Sequence, residues 1–591
     1  MKIIISKLLS LFDKREKRKL LLLFFMMVVA ALLETIGIGL IVPFVGLVTN
    51  PDHIHENDFL SFIYNFLNFS SNTSFVIFAV CIMLSIFILK NLYLLLFNYS
   101  QYRVILNQQV KLSRKLFKEY LTKPYTFHLQ RNTSNLLRNV NSEVPKVFQG
   151  IIMSSFQLLT ELLVITFILV LLLFNSLVST ITSFVLLGGS VFIFFKVFRE
   201  KISRLGKEQQ KVSGSMIKWV NQGLGASKVV KVSGKEKFFI DAYSAESQIK
   251  ANNSRYMKML EQVPRLFIET LLVFVVLVTM LIIVLQGKNT TELVSTMALC
   301  AMAAFRLMPS ITRVVSMITT IRYSQPALSV VYDDLFLNKD DSTDITLDTK
   351  TVGINKGEKS FNDVIELKNV YYRYPEQNNY SVENVSLTIP IGQSVAFVGQ
   401  SGAGKTTLVD IILGLLKPEK GQVTVDGKNL AQQRSIWQQK IGYIPQSIYL
   451  SDDTIRGNVA FGIEGKSIDD NEVWRALKQA QLMEFVKDLP EQLDTTVGEN
   501  GVRLSGGQRQ RIGIARALYH NPEILFMDEA TSALDNETEK EIMKAVDNLK
   551  GEKTLIIIAH RLSTIKNCDL AFEIRNGNLV SSENKQKESV I

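Results

Sequence analysis

The stretch GQSGAGKTT, Gly399 to Thr407, sets three glycines, a lysine and two threonines between the apolar run SVAFV and the helical LVDIILGLL. Strand, glycine-rich loop and helix in that order match G-x-x-x-x-G-K-[ST], a pattern that holds phosphates. The glycines let backbone N–H groups turn inward around the phosphates, and the helix start adds the positive end of its dipole. Lys405 reaches the β and γ phosphates and Thr406 offers its hydroxyl to Mg2+. The run from Gly399, Gln400, Ser401, Gly402, Ala403 and Gly404 to Lys405, Thr406 and Thr407 is therefore the candidate ATP-binding loop.

A second piece of the same chemistry is EILFMDE, Glu523 to Glu529, a buried-strand run ending in two carboxylates. Asp528 would hold the metal shell, and Glu529 would orient or deprotonate the attacking water. Two acids after a strand also suit the cap of a following helix, so their pairing with the phosphate loop is what gives them weight. A third piece is LSGGQ, made of Leu504, Ser505, Gly506, Gly507 and Gln508, ahead of the helical RQRIGIARAL. It makes a second anion-binding helix start within one chain.

These motifs must be carried by an element that can bury them, and the C-terminal part provides it. From Val364 short β-branched runs alternate with helical patterns, which predicts an α/β domain over 364–591. Before it, residues 337–363 are polar and poor in aromatics and read as a linker. Residues 1–336 differ in kind. The chain of 591 residues is 47% hydrophobic, its mean hydropathy is +0.17, and apolar stretches near Leu20–Val42, Phe75–Phe97, Ile151–Phe174, Leu177–Phe195, Leu266–Leu285 and Leu293–Ile321 are each long enough to cross a bilayer as a helix. The expected fold is multidomain: an all-α transmembrane domain of six helices joined to an α/β P-loop ATPase domain.

The net charge of +11 reflects topology rather than nucleic-acid binding. Residues 43 to 89 contain no Lys or Arg, whereas 101–146 and 196–265 are dense with them. Those two basic loops and both termini are expected in the cytoplasm. The three cysteines, Cys81, Cys300 and Cys568, form no CxxC pair, which argues against disulfides and zinc. The basic cluster DKREKRK before the first span resembles a signal peptide, but the apolar run continues to about Val48 without a trusted cleavage site, so an uncleaved first span is expected.

LSGGQ identifies the chain as a member of the ATP-binding-cassette (ABC) family, over essentially its whole length. The resemblance gives roles to further residues. Tyr374 is similar to the aromatic that stacks on adenine, and Gln446 to the glutamine between nucleotide site and membrane domain, which would share the metal with Thr406 and Asp528. SALD, Ser532 to Asp535, resembles the D-loop, and His560 the switch histidine that senses the γ-phosphate. Catalysis would then fall to Glu529, His560 and Lys405. The family's signature loop completes the ATP site of a partner, so one cassette per chain implies a homodimer clamping two ATP molecules with Mg2+. TTVGENG, Thr495 to Gly501, and six spans fused ahead of the cassette resemble ABC exporters of the type IV kind. By the same resemblance the turns at Asn132 to Ser142 and Asn221 to Lys228 are expected to touch the cassettes.

Charges inside apolar segments are costly and usually face protein or water. Glu34, Lys90, Glu161, Glu269, Arg265, Arg306 and Arg313 are of this kind. Either they pair internally and snorkel, or Arg265, Arg306 and Arg313 line a cationic substrate cavity suited to phosphate oxygens. Asp58 to Phe69 reads as a short external amphipathic helix lying in the membrane interface, an anchor or a lid on the first span. With VPRLFIE and FRLMPSITR, it makes the chain similar to flippases of lipid-linked oligosaccharides in bacterial protein N-glycosylation, the PglK type. That resemblance implies a polyprenyl-pyrophosphate glycan moved from the inner to the outer leaflet of the cytoplasmic membrane. Other readings are an exporter of another lipid, drug or peptide, and a non-transporting ATP-switched regulator.

Overall fold

The computed structural model describes residues 2–40, 44, 58–175, 177–285, 290–337, 361–528, 540, 543–544, 546–559, 565 and 567–584, with side chains at fewer positions, chiefly within 171–190 and 264–307. The chain divides into two compact units, Met1–Lys123 with Gln130–Ile345, and Pro124–Leu129 with Thr346–Ile591.

Six long helices are described in the first unit: Lys14–Gly39, Asn72–Thr122, Ser154–Asn175, Leu177–Gly225, Glu236–Leu285 and Thr290–Tyr332. Among the described residues, Lys14–Gly37, Asn72–Thr122 and Thr133–Val170 are long and apolar enough to cross a membrane. Asn72–Thr122, Leu177–Gly225 and Glu236–Leu285 run for 51, 49 and 50 residues, more than twice the ~20 that hydrocarbon needs. Their far halves therefore extend past the bilayer. Leu84, Leu89, Leu92 and Leu95 are exposed along Asn72–Thr122, as a lipid-facing stripe must be, since lipid replaces the core that would cover them in water.

The inner faces pack closely where glycine allows it. A Cβ on Gly150 would stand 2.2 Å from the Ser324 hydroxyl, and one on Gly206 would stand 2.3 Å from the Tyr323 carbonyl. Two helical segments thus grip one turn of Thr290–Tyr332 from two sides. Gly150 belongs to a wide-turn stretch, Lys146–Met153, that follows another at Asn139–Glu143. Such turns re-aim side chains inside a helix. Here they bring Asn139 and fully buried Glu143 into a polar cluster. Asn139 and the Tyr120 hydroxyl donate to Asp334 at 2.9 and 2.5 Å, while Lys146 and Gln210 both donate to Glu143 at 2.8 Å.

One expectation changes. The external helix spans Asp58–Phe66 and does not reach Phe69, because Asn68 adopts a left-handed conformation (φ 50°) and Ser71 caps the next helix by accepting from the Ser74 N–H at 3.2 Å. It packs Leu60, Ile63 and Tyr64 around Phe75 at the start of the second span. Pro124–Leu129 groups with the second unit, while Asn132 to Ser142 and Asn221 to Lys228 group with the first. The helix Asn72–Thr122 ends before that stretch because of Pro124. A residue before proline leaves the helical region, and Lys123 does so (φ −64°, ψ 149°).

The second unit contains two described sheets. One is antiparallel, in the order Val382–Pro390, Val364–Tyr372, Lys420–Val425, Lys428–Asn429. The other runs Asn578–Asn584, Leu570–Arg575, Ser394–Val398, Thr554–Ile558, Ile524–Asp528, Ile441–Ile444, parallel except for the terminal hairpin. Ser394–Val398 and Thr554–Ile558 are buried almost throughout, as strands covered on both faces must be. The phosphate loop leaves the C-terminal end of Ser394–Val398, an inner strand of this sheet, where α/β folds bind ligands.

Candidate functional site

The loop is fixed by its backbone. Gly404 has φ 102°, and a Cβ there would meet the Ser381 carbonyl at 2.4 Å, so both its dihedral and its space demand glycine. The helix Lys405–Ile412 begins directly after it. The Lys405 ammonium is buried and donates to the carbonyls of Gly399 and Gln400, 2.9 Å each. It is thereby held over the loop mouth. A cavity of about 740 Å3 opens there, lined by Ser401 to Thr407 together with Tyr374, Asn576 and Gly577. The Tyr374 hydroxyl shares a hydrogen bond of 3.2 Å with Thr407, and its ring meets Tyr372 edge-on at 5.1 Å. Tyr374, a weak signal in isolation, is thus brought to the loop.

Asp528 ends the strand next to Thr554–Ile558. Its charge is felt by a residue that sequence reasoning missed: burial and then Asp528 push Asp410 up to about 6. Tyr443 is raised by burial and then by Asp528, Asp410 and Tyr125. Tyr125, on the Pro124–Leu129 stretch, is raised by burial and then by Asp410 and Tyr374. The carboxylate of Asp528, the hydroxyl of Thr406 and the amide oxygen of Gln446 are hard oxygen donors of the kind that fits Mg2+. Asp410 has a sequence signal, an acid five residues after the loop lysine, but nothing local says that it faces Asp528.

The signature residues start the helix Gly506–Leu518. The Ser505 hydroxyl accepts from the Gln508 N–H at 3.2 Å, and the Gln508 side chain accepts from the Ser505 N–H at 2.9 Å, a capping box. Ser505 and Gly506 are exposed, Leu504 and Gln508 half-buried and Gly507 buried. The helix is tied to the segment after Gln446 by Arg516, which donates to the carbonyls of Asn458 and Tyr449 at 2.8 and 2.7 Å. Glu529, Ser532 to Asp535 and His560 lie outside the described residues.

Of the membrane arginines, Arg265 is exposed and the Arg306 side chain is outside the described set. Arg313 is ion-paired with Glu161 through its Nε, and its Nη2 reaches the other carboxylate oxygen at 3.2 Å. An anion approaching Arg313 meets a charge already answered. Lys90 lays its chain on Gly37, with its Cδ 3.3 Å from where a Cβ would stand, one turn from Glu34, and its ammonium lies 4.5 Å from the Phe87 ring centre.

Residues 382–532 match the family described as ABC transporter, and residues 57–301 match the ABC transporter transmembrane region. An ATP-dependent lipid A-core flippase of Pseudoalteromonas translucida is 31% identical over 474 residues, 80% of this chain and 79% of that relative. One of Haemophilus influenzae is 30% identical over 513 residues, 86% and 85% of the two. A bacterial Atm1-family ABC exporter, solved with ATP bound, superposes with a TM-score of 0.76 over 98% of this chain and 96% of that one, at 22% identity. That last likeness is one of fold.

Proposed function

The chain belongs to the ATP-binding-cassette exporters, with the type IV fold, and from that premise we infer what it moves and which residues do the work. It is an ATP hydrolase whose turnover drives translocation across a membrane. The proposed working form is a homodimer in the cytoplasmic membrane, with both termini in the cytoplasm. The observation that supports two chains is the signature helix: its start is exposed, and none of its five signature residues lines the cavity of Tyr374 and Lys405. A second copy brings that start to the open side of the cavity.

In this reading the loop amides and Lys405 hold the phosphates, Tyr374 stacks on the base, and Glu529 orients the water while His560 senses the γ-phosphate. Thr406, Asp528 and Gln446 would hold Mg2+, which would supply positive charge to the phosphate oxygens. Asp410 links this chemistry to Tyr125 on the Pro124–Leu129 stretch.

The proposed cargo is a polyprenyl-pyrophosphate-linked oligosaccharide, carried from inner to outer leaflet past Arg265 and Arg306, with Arg313 contributing when Glu161 releases it. A second reading, favoured by the names of the relatives, is a lipid A-core. The test is reconstitution in vesicles with ATP and either fluorescent lipid. ATP-dependent appearance of the oligosaccharide in the outer leaflet, slowed about tenfold by Arg306→Ala with ATPase activity retained, is the expected result, because one charge-assisted contact contributes roughly 1.5–3 kcal/mol. Preference for the lipid A-core would establish the second reading, and an unslowed Arg306→Ala would remove the arginine from cargo binding.

A further inference from the structure

A second cationic cavity lies in the cytoplasmic part of the membrane unit, apart from the ATP site. It measures about 460 Å3, and Arg138, Lys207, Lys211 and Lys218 contribute to its wall. Neither a carboxylate nor an aromatic ring lines it. Lys207, Lys211, Gly214 and Lys218 recur at i, i+4, i+7 and i+11 of Leu177–Gly225, one face of that helix, and the facing wall comes from Asn132 and Asn135 beside Arg138. Gly214 keeps the face open, since a Cβ there would stand 2.7 Å from the Arg138 guanidinium.

Among the described residues the three lysines of this face, Lys207, Lys211 and Lys218, have no carboxylate to answer them. Arg138 is buried, spends its N–H groups on the Gln210 carbonyl at 3.1 Å and the Asn139 amide oxygen at 2.9 Å, and has Glu143 at 4.0 Å. Glu143 is itself held by Lys146 and Gln210. Like charges one helical turn apart oppose each other. A bound anion reverses that opposition.

We propose that this cavity is a binding site for a small soluble anion bearing two or more phosphates and no aromatic base. Three lysines without carboxylate partners, with the paired Arg138 behind them, suit the charge of a pyrophosphate or a sugar bisphosphate, the lining amides and hydroxyls donate to phosphate oxygens, and no ring lines the cavity to stack on a nucleobase. The ligand is soluble because Lys207 stands twelve residues beyond Phe195, about 18 Å of helix past the apolar run, out of reach of a headgroup. Bound there, it bridges Thr133–Arg138 to Leu177–Gly225. The first of these begins a few residues after the stretch that belongs with the ATPase unit, so occupancy is read out as a change in turnover.

The test uses the full chain in lipid nanodiscs. Calorimetry with inorganic pyrophosphate in Mg2+-free buffer is run on Lys405→Ala, which blunts the ATP loop. Saturable binding that weakens tenfold or more when Lys207→Gln, Lys211→Gln and Lys218→Gln are added, but survives the three Lys→Arg changes, supports the site. Fructose 1,6-bisphosphate should bind there more tightly than AMP. Absence of saturable binding, equal affinity in the glutamine variant, loss in the arginine variant, or preference for AMP overturns it. In the parent, pyrophosphate should shift the ATPase rate at least twofold beyond any shift in the glutamine variant, and equal shifts in both overturn the regulatory role.

Discussion

The phosphate loop and signature helix of one unit and the polar cluster of the other secure their residues in opposite ways. In the two motifs the hydrogen bonds are short-range in sequence: Lys405 reaches carbonyls six and five residues back, and Ser505 and Gln508 cap each other three residues apart. In the cluster of the membrane unit, and in its Arg313–Glu161 pair, they are remote. Tyr120 and Asp334 are 214 residues apart, Asn139 and Asp334 are 195 apart, and Arg313 and Glu161 are 152 apart. A local device forms whenever its own turn forms and can be read as a motif. A remote one forms only when several helices have packed, so it reports on the packing and is felt when the packing changes.

That contrast can be broken or sharpened by substitution. The largest effect should come from chemistry carried on a motif: Glu529→Gln should retain ATP binding and lose steady-state ATPase activity by about 10²–10⁴-fold, and near-parental turnover would break the assignment. Next comes the remote cluster. Asp334→Ala removes the acceptor used by both Tyr120 and Asn139 and should cost roughly 2–5 kcal/mol, seen in thermal unfolding. Tyr120→Phe on top of it should add less than it does alone, as members of one network do.

A smaller effect belongs to Asp410. Its pKa is pushed up from 3.8 to about 6, so the folded protein binds this proton more tightly than the unfolded chain. Stability therefore falls as pH rises from about 4 to about 6, and the penalty persists above. Asp410→Asn should raise the melting temperature at pH 7.5 by roughly 2–4 °C, a gain that vanishes near pH 4. A gain of equal size at both pH values would mean that packing, not charge, separates the variants. Smallest of all, Ser505→Ala should cost about 1 kcal/mol of stability, seen in thermal unfolding, because one local cap is lost.

The same division explains what was legible in the sequence. The phosphate loop, the strand ending in Asp528 and the signature helix could be read because each is one turn of backbone with its residues in order. The long helices could be read from apolar length. What escaped were relations. Asp410 carries no local mark of its neighbour Asp528, and Glu161 could not be matched to Arg313. Asn68 ended the external helix early for a reason, a left-handed residue, that a pattern of apolar spacing does not contain.

The bend at Lys123 makes the preceding helix a lever. Asn72–Thr122 is 51 residues, about 76 Å at 1.5 Å per residue, and it stops at a joint instead of running on. A tilt of only ~5° imposed at that joint sweeps its outer end through roughly 7 Å, about the width of a sugar ring. A small rotation at that joint is thus magnified along the helix into a displacement of several ångströms.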